Sequence, residues 1–288
     1  MTGIAQRLIE KGFFFSALVN GAVILLIFGF MLVMGFPIFR NGQFMDLLAG
    51  NWAPARGAYG IYPMVVGTLA ISLLSLFLAF PVSLGCAFFA GPIAPAWMSR
   101  PFRRVVQFMT GIPTVIYGFV GIFLLVPIVR GLHGGGSGRC ILSAAMMLSV
   151  LVSPTMILFF CDSLDRVPKS FLDTADALGA TPSQKLLLVM LPWAKKDILS
   201  GLILAFGRAV GDTMVALMIA GNAIEIPGSI FDSARTLTSH IALVIAADYE
   251  SLEFKSIFAC GLLLYLFDAL LICCVRLLDA LNNRRERA

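Results

Sequence analysis

The stretch Lys169-Ser-Phe-Leu-Asp-Thr-Ala-Asp-Ala-Leu-Gly179-Ala-Thr-Pro-Ser-Gln-Lys-Leu-Leu-Leu-Val-Met-Leu-Pro192 reads as two short helices joined by a turn. Gly179 stands where a helix C-terminus takes a left-handed residue, a conformation open to glycine because it has no β-carbon. Two residues on, Thr181, Pro182 and Gln184 supply an N-cap, a first-turn proline and the partner of a capping box, so a second helix starts there. Pro192 lacks an amide hydrogen and its ring crowds the carbonyl four residues back, which predicts that the second helix stops before the next apolar run. On the first helix Phe171, Ala175 and Leu178 share one face at helical spacing, with Asp173 and Asp176 elsewhere. Such a short amphipathic element suits helix-in-groove contact, and taken alone it also fits an interfacial hairpin of no special role.

Working outward, the hairpin is flanked by apolar runs. Bridging a hydrocarbon core of about 30 Å takes about 20 apolar residues as a helix, because each backbone polar group must be satisfied within the segment. Six stretches meet that length: Phe13 to Phe36, Tyr62 to Ala90, Val105 to Val129, Ile141 to Phe160, Ile198 to Gly221 and Ile257 to Val275. The expected fold is an all-α membrane protein of about six transmembrane helices, with the helix pair in the 162–197 loop between spans four and five. Residues 1–61 form the first span and first outer loop, and 62–288 the main bundle. Pro81, Pro113 and Pro154 fall inside spans two to four, so kinked, packed helices are expected there. The first run is too long for a signal-peptide core and lacks a small-residue cleavage site, so it reads as a retained span.

Composition agrees. The chain is 59% hydrophobic and 13% charged, against about half and about a quarter in soluble domains. Its excess of base is no nucleic-acid stripe, because Lys and Arg sit at the ends of the apolar runs. Placing both termini inside puts fourteen of the 21 basic residues on the cytoplasmic side, six outside and Arg208 within a span, the asymmetry of the positive-inside rule. Six cysteines without C-x-x-C spacing, and His133 and His240 isolated in outer loops, suggest neither a metal site nor a disulfide framework, and no cofactor is expected. There is no phosphate-binding G-x-x-x-x-G-K-[ST] loop, and no serine, histidine and acid set suggests a hydrolase. Trp52, Tyr59 and Tyr62 read as aromatic anchors at the outer interface. Asp268, an acid within span six, reads as paired with a helix terminus or a hydroxyl.

Span five contains Gly207-Arg208-Ala209-Val210-Gly211-Asp212-Thr213-Met214. A charge near the bilayer centre costs about 2.5–3.5 kcal/mol on insertion scales, so Arg208 and Asp212 are functional candidates. In a continuous helix they lie one turn apart and partly neutralise each other. Gly207 and Gly211 share that spacing and allow a second helix to approach closely. Two readings stand at this point. One is a packing salt bridge with a small-residue seam. The other is a guanidinium presented to an oxyanion, with the carboxylate holding it.

The 169–192 stretch resembles the signature loop of bacterial ABC-importer permeases: E-A-A, three residues, G, nine residues, an aliphatic residue, any residue, L-P. Here it stands as Asp173-Thr174-Ala175, Gly179, Val189 and Leu191-Pro192, every spacing kept, with Asp for Glu and Thr for the first Ala. The resemblance implies the type I importer permease fold. It also implies that Asp173, Thr174, Ala175, Ala177, Leu178 and Gly179 form a coupling helix that docks on a cytoplasmic ATPase dimer, which hydrolyses ATP while this chain does not. The span-five segment resembles G-R-A-x-G-E-T-M of the phosphate-specific permeases, and of their two paired subunits the C type, with Asp212 for Glu. Trp52-x-Pro54, Gly57 to Pro63, Gly67-Thr68, Pro81 to Gly85 and Gly111 to Gly118 follow that family in the same order. This resemblance implies a bacterial inner-membrane importer of inorganic phosphate. Arg208, Asp212 and Thr213 then line the path, and the partners are an A-type permease, the ATPases and an external phosphate-binding protein. Import of molybdate, sulfate or phosphonate is the alternative within the class, and a channel or sensor docking a cytoplasmic protein is the alternative outside it.

Overall fold

In the computed structural model, which describes residues 3–40 and 49–286, the chain is a helical bundle with one small hairpin. Residues 41–48 and Arg287 lie outside the described residues. In chain order the elements are α1 (Gly3–Arg40), the hairpin β1 (Trp52–Ala53) and β2 (Ala58–Tyr59), α2 (Tyr62–Phe88), α3 (Ala96–Thr110), α4 (Thr114–His133), α5 (Ile141–Asp165), α6 (Lys169–Ala177), α7 (Pro182–Gln184), α8 (Leu191–Gly211), α9 (Met214–Ile219), α10 (Leu237–Val244) and α11 (Leu252–Glu286). Among the described residues five helices are long and apolar enough to cross a membrane: within α1, α2 extended to Ile93, α4, α5 and α11.

The bundle is built around α5. Its inward residues, among them Leu148, Val152, Met156 and Phe160, are buried against α2, α4 and α8. At the other extreme α1 leans mainly on α11, with Phe28 on Tyr265 at 4.8 Å and Phe30 edge-on to Phe258 at 5.7 Å. Its other apolar side chains, such as Phe13, Phe14, Leu25 and Leu26, face outward. Apolar residues on all sides of a helix at the periphery mean that the solvent is lipid.

Two of the expected spans are redrawn. Span three begins at Thr114, not Val105: Gly111 and Ile112 interrupt the helix and Pro113 is the N-cap of α4. Proline restricts the residue before it to extended backbone, so Pro113 marks a helix start where hydropathy alone shows one continuous run. The preceding α3 is a separate amphipathic helix that buries Val106 and carries Arg100, Arg103 and Arg104. Span five is broken as well. α8 ends at Gly211, Asp212 is extended (φ −72°, ψ 125°), and the pass resumes as the short α9.

Pro192 does not stop the hairpin's second helix. Residues Lys185–Met190 form a π-helical turn, with the Leu191 amide donating to the Leu186 carbonyl, and α8 follows without a gap. Widening the turn by one residue gives room for the ring and shifts the hydrogen-bond register past its missing N–H. The hairpin is therefore mechanically continuous with the helix that carries Arg208.

Away from the main core a second, smaller core joins Trp52, Ile61 and Met64 to Leu237, Ala259 and Cys260. Trp52 is thus buried rather than anchored at an interface, whereas Tyr62 is exposed. Thr68 ties the two parts together: its hydroxyl accepts from the Leu237 amide at 2.9 Å and donates to the Met64 carbonyl at 2.7 Å. Beside it Gly67 lies against the Arg235 carbonyl so closely that a β-carbon would overlap it.

His240, expected as an isolated outer-loop residue, is fully buried here. Its ring stands edge-on to Trp52 at 4.4 Å, Nε2 lies 3.4 Å from Ser256 Oγ, and Nδ1 has no partner among the described residues. Burial, and then nearby Arg235, pull its pKa down from 6.5 to about 4. The sign follows from linkage. Above about pH 6.5 the ring is neutral in folded and unfolded chain alike. As pH falls toward 4 the unfolded chain takes up a proton that the folded one refuses, and stability is lost. The loss is expected to reach about 3 kcal/mol by pH 4. His240→Phe keeps a ring against Trp52 and is expected to flatten that acid dependence in thermal unfolding of the detergent-solubilised protein; an unchanged pH profile would show that another group governs it.

Candidate translocation and coupling sites

Arg208 lies in the last turn of α8, where a cation complements the helix dipole. Its side chain is exposed within the chain, and Nη1 donates to Thr155 Oγ1 of α5 at 3.2 Å. Among the described residues it makes no ion pair. The expected one-turn pairing with Asp212 does not close to an ion pair, because the helix ends between them, although the two charges still act on each other at longer range. Instead the Asp212 carboxylate accepts from the Val215 amide at 2.8 Å and starts α9, and the Asp212 carbonyl accepts from Thr238 Oγ1 at 2.9 Å. A short acid caps a helix start well, which accounts for aspartate at this break. Thr213, half-buried, begins the next segment with its carbonyl accepting from the Leu217 amide.

The two glycines behave differently. A β-carbon on Gly207 would lie 3.2 Å from an Asp268 carboxylate oxygen of α11, so this glycine sets the approach of α8 and α11. Among the described residues Gly211 has nothing within 4 Å of that position and provides no packing seam. Both line a cleft of about 410 Å³ with Met31, Thr238 and Asp268. Asp268 itself is exposed toward that cleft rather than tucked against a helix terminus.

Two further groups near Arg208 have no role legible from the local sequence. Thr155 follows Pro154 in α5, and the kinking proline was the available signal. Tyr117, buried in α4 and donating to the Met109 carbonyl at 3.1 Å, lies within electrostatic reach of Arg208. The region thus presents one unpaired guanidinium with a hydroxyl beside it. A planar cation with free N–H groups binds an oxyanion and leaves nothing for a metal; no cluster of metal-ligating side chains occurs among the described residues. The side chain of His133 lies outside the described residues.

At the opposite end the hairpin follows the sequence closely. Gly179 has φ +75° and terminates α6. Thr181 and Gln184 make the reciprocal capping box, with 2.8 Å from the Thr181 amide to Gln184 Oε1. Ala175 is the buried residue of α6, while Asp173, Thr174, Ala177, Leu178 and Gly179 are exposed. The expected apolar face is therefore split: Ala175 turns inward, and Phe171 and Leu178 turn out. Lys185 holds the two arms together through Asp176 at 2.6 Å. Just before the hairpin Arg103 of α3 grips Asp165 at the end of α5 at 2.5 and 3.1 Å, a hydrogen-bonded pairing that raises the Arg103 pKa above its ordinary value.

Residues 79–287 match the family described as binding-protein-dependent transport system inner membrane component. The chain belongs to that family. It is 34% identical over 233 residues to the probable ABC transporter permease protein YqgH of Bacillus subtilis, covering 80% of this chain and 75% of that one. With the phosphate transport system permease protein PstC of Pasteurella multocida it shares 28% identity over 267 residues, 86% of this chain and 83% of the relative. Among solved structures, a bacterial alginate ABC transporter has a chain of the same fold, with a TM-score of 0.62, 12% identity, and 93% of this chain and 94% of that one covered. The MetNI methionine ABC transporter has another, at TM-score 0.55 and 20% identity, covering 79% and 96%. Family membership makes the bundle a type I ABC-importer permease, a transport subunit of the membrane.

Proposed function

We propose that this chain is one membrane-spanning half of an ATP-driven importer of inorganic phosphate, with both termini cytoplasmic. The observation that carries the anion part is the unpaired Arg208 guanidinium at the break of a membrane pass, a costly placement unless an anion passes there. Its relatives named as phosphate permeases support phosphate over other oxyanions. The second permease, of the A type, lies across the path. An external phosphate-binding protein delivers substrate, and a cytoplasmic ATPase dimer grips α6. Because a pore-lining charge has to release its ligand, Arg208 binds transiently rather than tightly. Closure of the ATPases moves α6, and the continuous helix from Thr181 to Gly211 carries that movement to Arg208.

The test is ATP-dependent uptake of labelled phosphate into vesicles holding this chain with its partners, with sulfate and molybdate as competitors. Uptake suppressed by unlabelled phosphate alone is expected. Suppression by sulfate or molybdate would reassign the substrate, and anion flux without ATP would replace the importer by a channel.

A further inference from the structure

We propose that Thr155 is the second donor of the anion path: it positions Arg208 and offers its own O–H to the same oxyanion. The inference rests on the reading of Arg208 given above. A hydroxyl has one donor and two acceptor lone pairs. At Thr155 a lone pair is engaged by Arg208 Nη1 at 3.2 Å, which leaves the hydrogen.

The fate of that hydrogen sets Thr155 apart on its own helix. Ser143, Ser149, Ser153 and Ser163, the serines of α5, each donate to a backbone carbonyl: those of Gly138, Met146, Ser149 and Phe159, at 2.6–2.8 Å. Such back-bonding is the usual resting place of a helical hydroxyl. Thr155 donates to no acceptor among the described residues, although it is half-buried beside Pro154. Its hydroxyl is turned instead to the open side chain of Arg208.

A guanidinium and a hydroxyl joined by one hydrogen bond present two kinds of donor to one space. The unengaged N–H groups of Arg208 supply charge and a planar fork, while Thr155 adds a directional O–H. By accepting from Nη1 the hydroxyl also limits the rotamers of a long side chain that is otherwise free in the path. Both groups donate, so the pair suits any tetrahedral oxyanion without a need to recognise its protons. Thr155 is in this sense a positioning residue for Arg208 and a direct contact of the passing ligand.

The experiment uses the whole transporter in proteoliposomes, measuring labelled phosphate moved per ATP hydrolysed and the KM for the loaded binding protein. Thr155→Val removes the hydroxyl and keeps the shape; Thr155→Ser keeps the hydroxyl and loses a methyl. A hydrogen bond to a charged ligand is worth about a factor of ten. The Val variant is therefore expected to move about tenfold less phosphate per ATP, with KM unchanged, and the Ser variant to stay within about twofold of the parent. Normal stoichiometry in Thr155→Val, alongside an inactive Arg208→Ala, would overturn the role of Thr155 and leave the Arg208 path standing. Equal losses in the Val and Ser variants would also overturn it, since only packing would then be at work. Full transport by Arg208→Ala would remove the path reading itself.

Discussion

Arg208→Ala is expected to lower phosphate uptake by at least about a hundredfold while leaving the subunit in the membrane at its normal amount. The magnitude follows from what the guanidinium supplies. Hydrogen bonds to a charged partner contribute about 1.5–3 kcal/mol each, and two of them together exceed the roughly 2.7 kcal/mol that separates rates a hundredfold apart. Stability is expected to change little, because Arg208 pairs with no acid among the described residues and its bond to Thr155 is to a half-buried hydroxyl. Removing an unpaired cation from membrane depth even relieves an insertion cost. Arg208→Lys is the informative companion. It keeps the charge but loses the fork and the reach to Thr155, so an intermediate loss of about tenfold is expected, read as uptake rate in vesicles with equal subunit content. Uptake at the parental rate in Arg208→Ala would show that the anion crosses elsewhere.

Asp212 behaves differently, and the broken helix explains why. Its carboxylate accepts from the Val215 amide, so on the proposed path it acts first through the shape of the break, with the Arg208 charge felt at longer range. The sequence placed these residues four apart, and on a continuous helix that spacing means contact. What it did not display is the interruption at Gly211. A hydropathy window counts apolar side chains and is blind to the backbone hydrogen bonds that decide continuity. The same blindness started span three too early, ahead of Pro113, where a proline was legible but its role as a helix start was not. Pro192 misled in the opposite sense, because a π-helical turn spread over Lys185–Met190 absorbs a proline that would end an α-helix.

The hairpin was legible almost residue by residue because its determinants are local: one left-handed glycine and one reciprocal cap lie within six residues of each other. Non-local pairs were invisible. Trp52 meets His240, and Arg208 meets Thr155 across 53 positions, and neither partner carries a local mark of the other. An isolated histidine between two expected spans gives no sign that a tryptophan far upstream will close over it.

Leu178→Asp is expected to abolish ATP-driven uptake and the copurification of the ATPase without unfolding the permease. Leu178 caps α6 with 84% of its surface exposed, and Phe171, two turns earlier on the same side, is 51% exposed. Neither contributes much to the bundle's own core, so surface substitutions there change stability by about 0.5 kcal/mol or less. Burying a leucine in a partner's groove contributes about 2 kcal/mol, some thirtyfold in association. Placing an unpaired carboxylate in that groove adds a desolvation penalty on top. Leu178→Ala loses the burial alone and is expected to weaken copurification about thirtyfold, a graded step between parent and Asp variant. Gly179→Val perturbs the same joint from within, since a β-branched residue at φ +75° is strained and tilts α6 on its anchor at Ala175. A Leu178→Asp variant that still copurifies the ATPase and still imports phosphate would mean that α6 is not the grip. Lost uptake with retained ATPase binding would place α6 downstream of docking, as the transmitter that the unbroken Thr181 to Gly211 helix is built to continue.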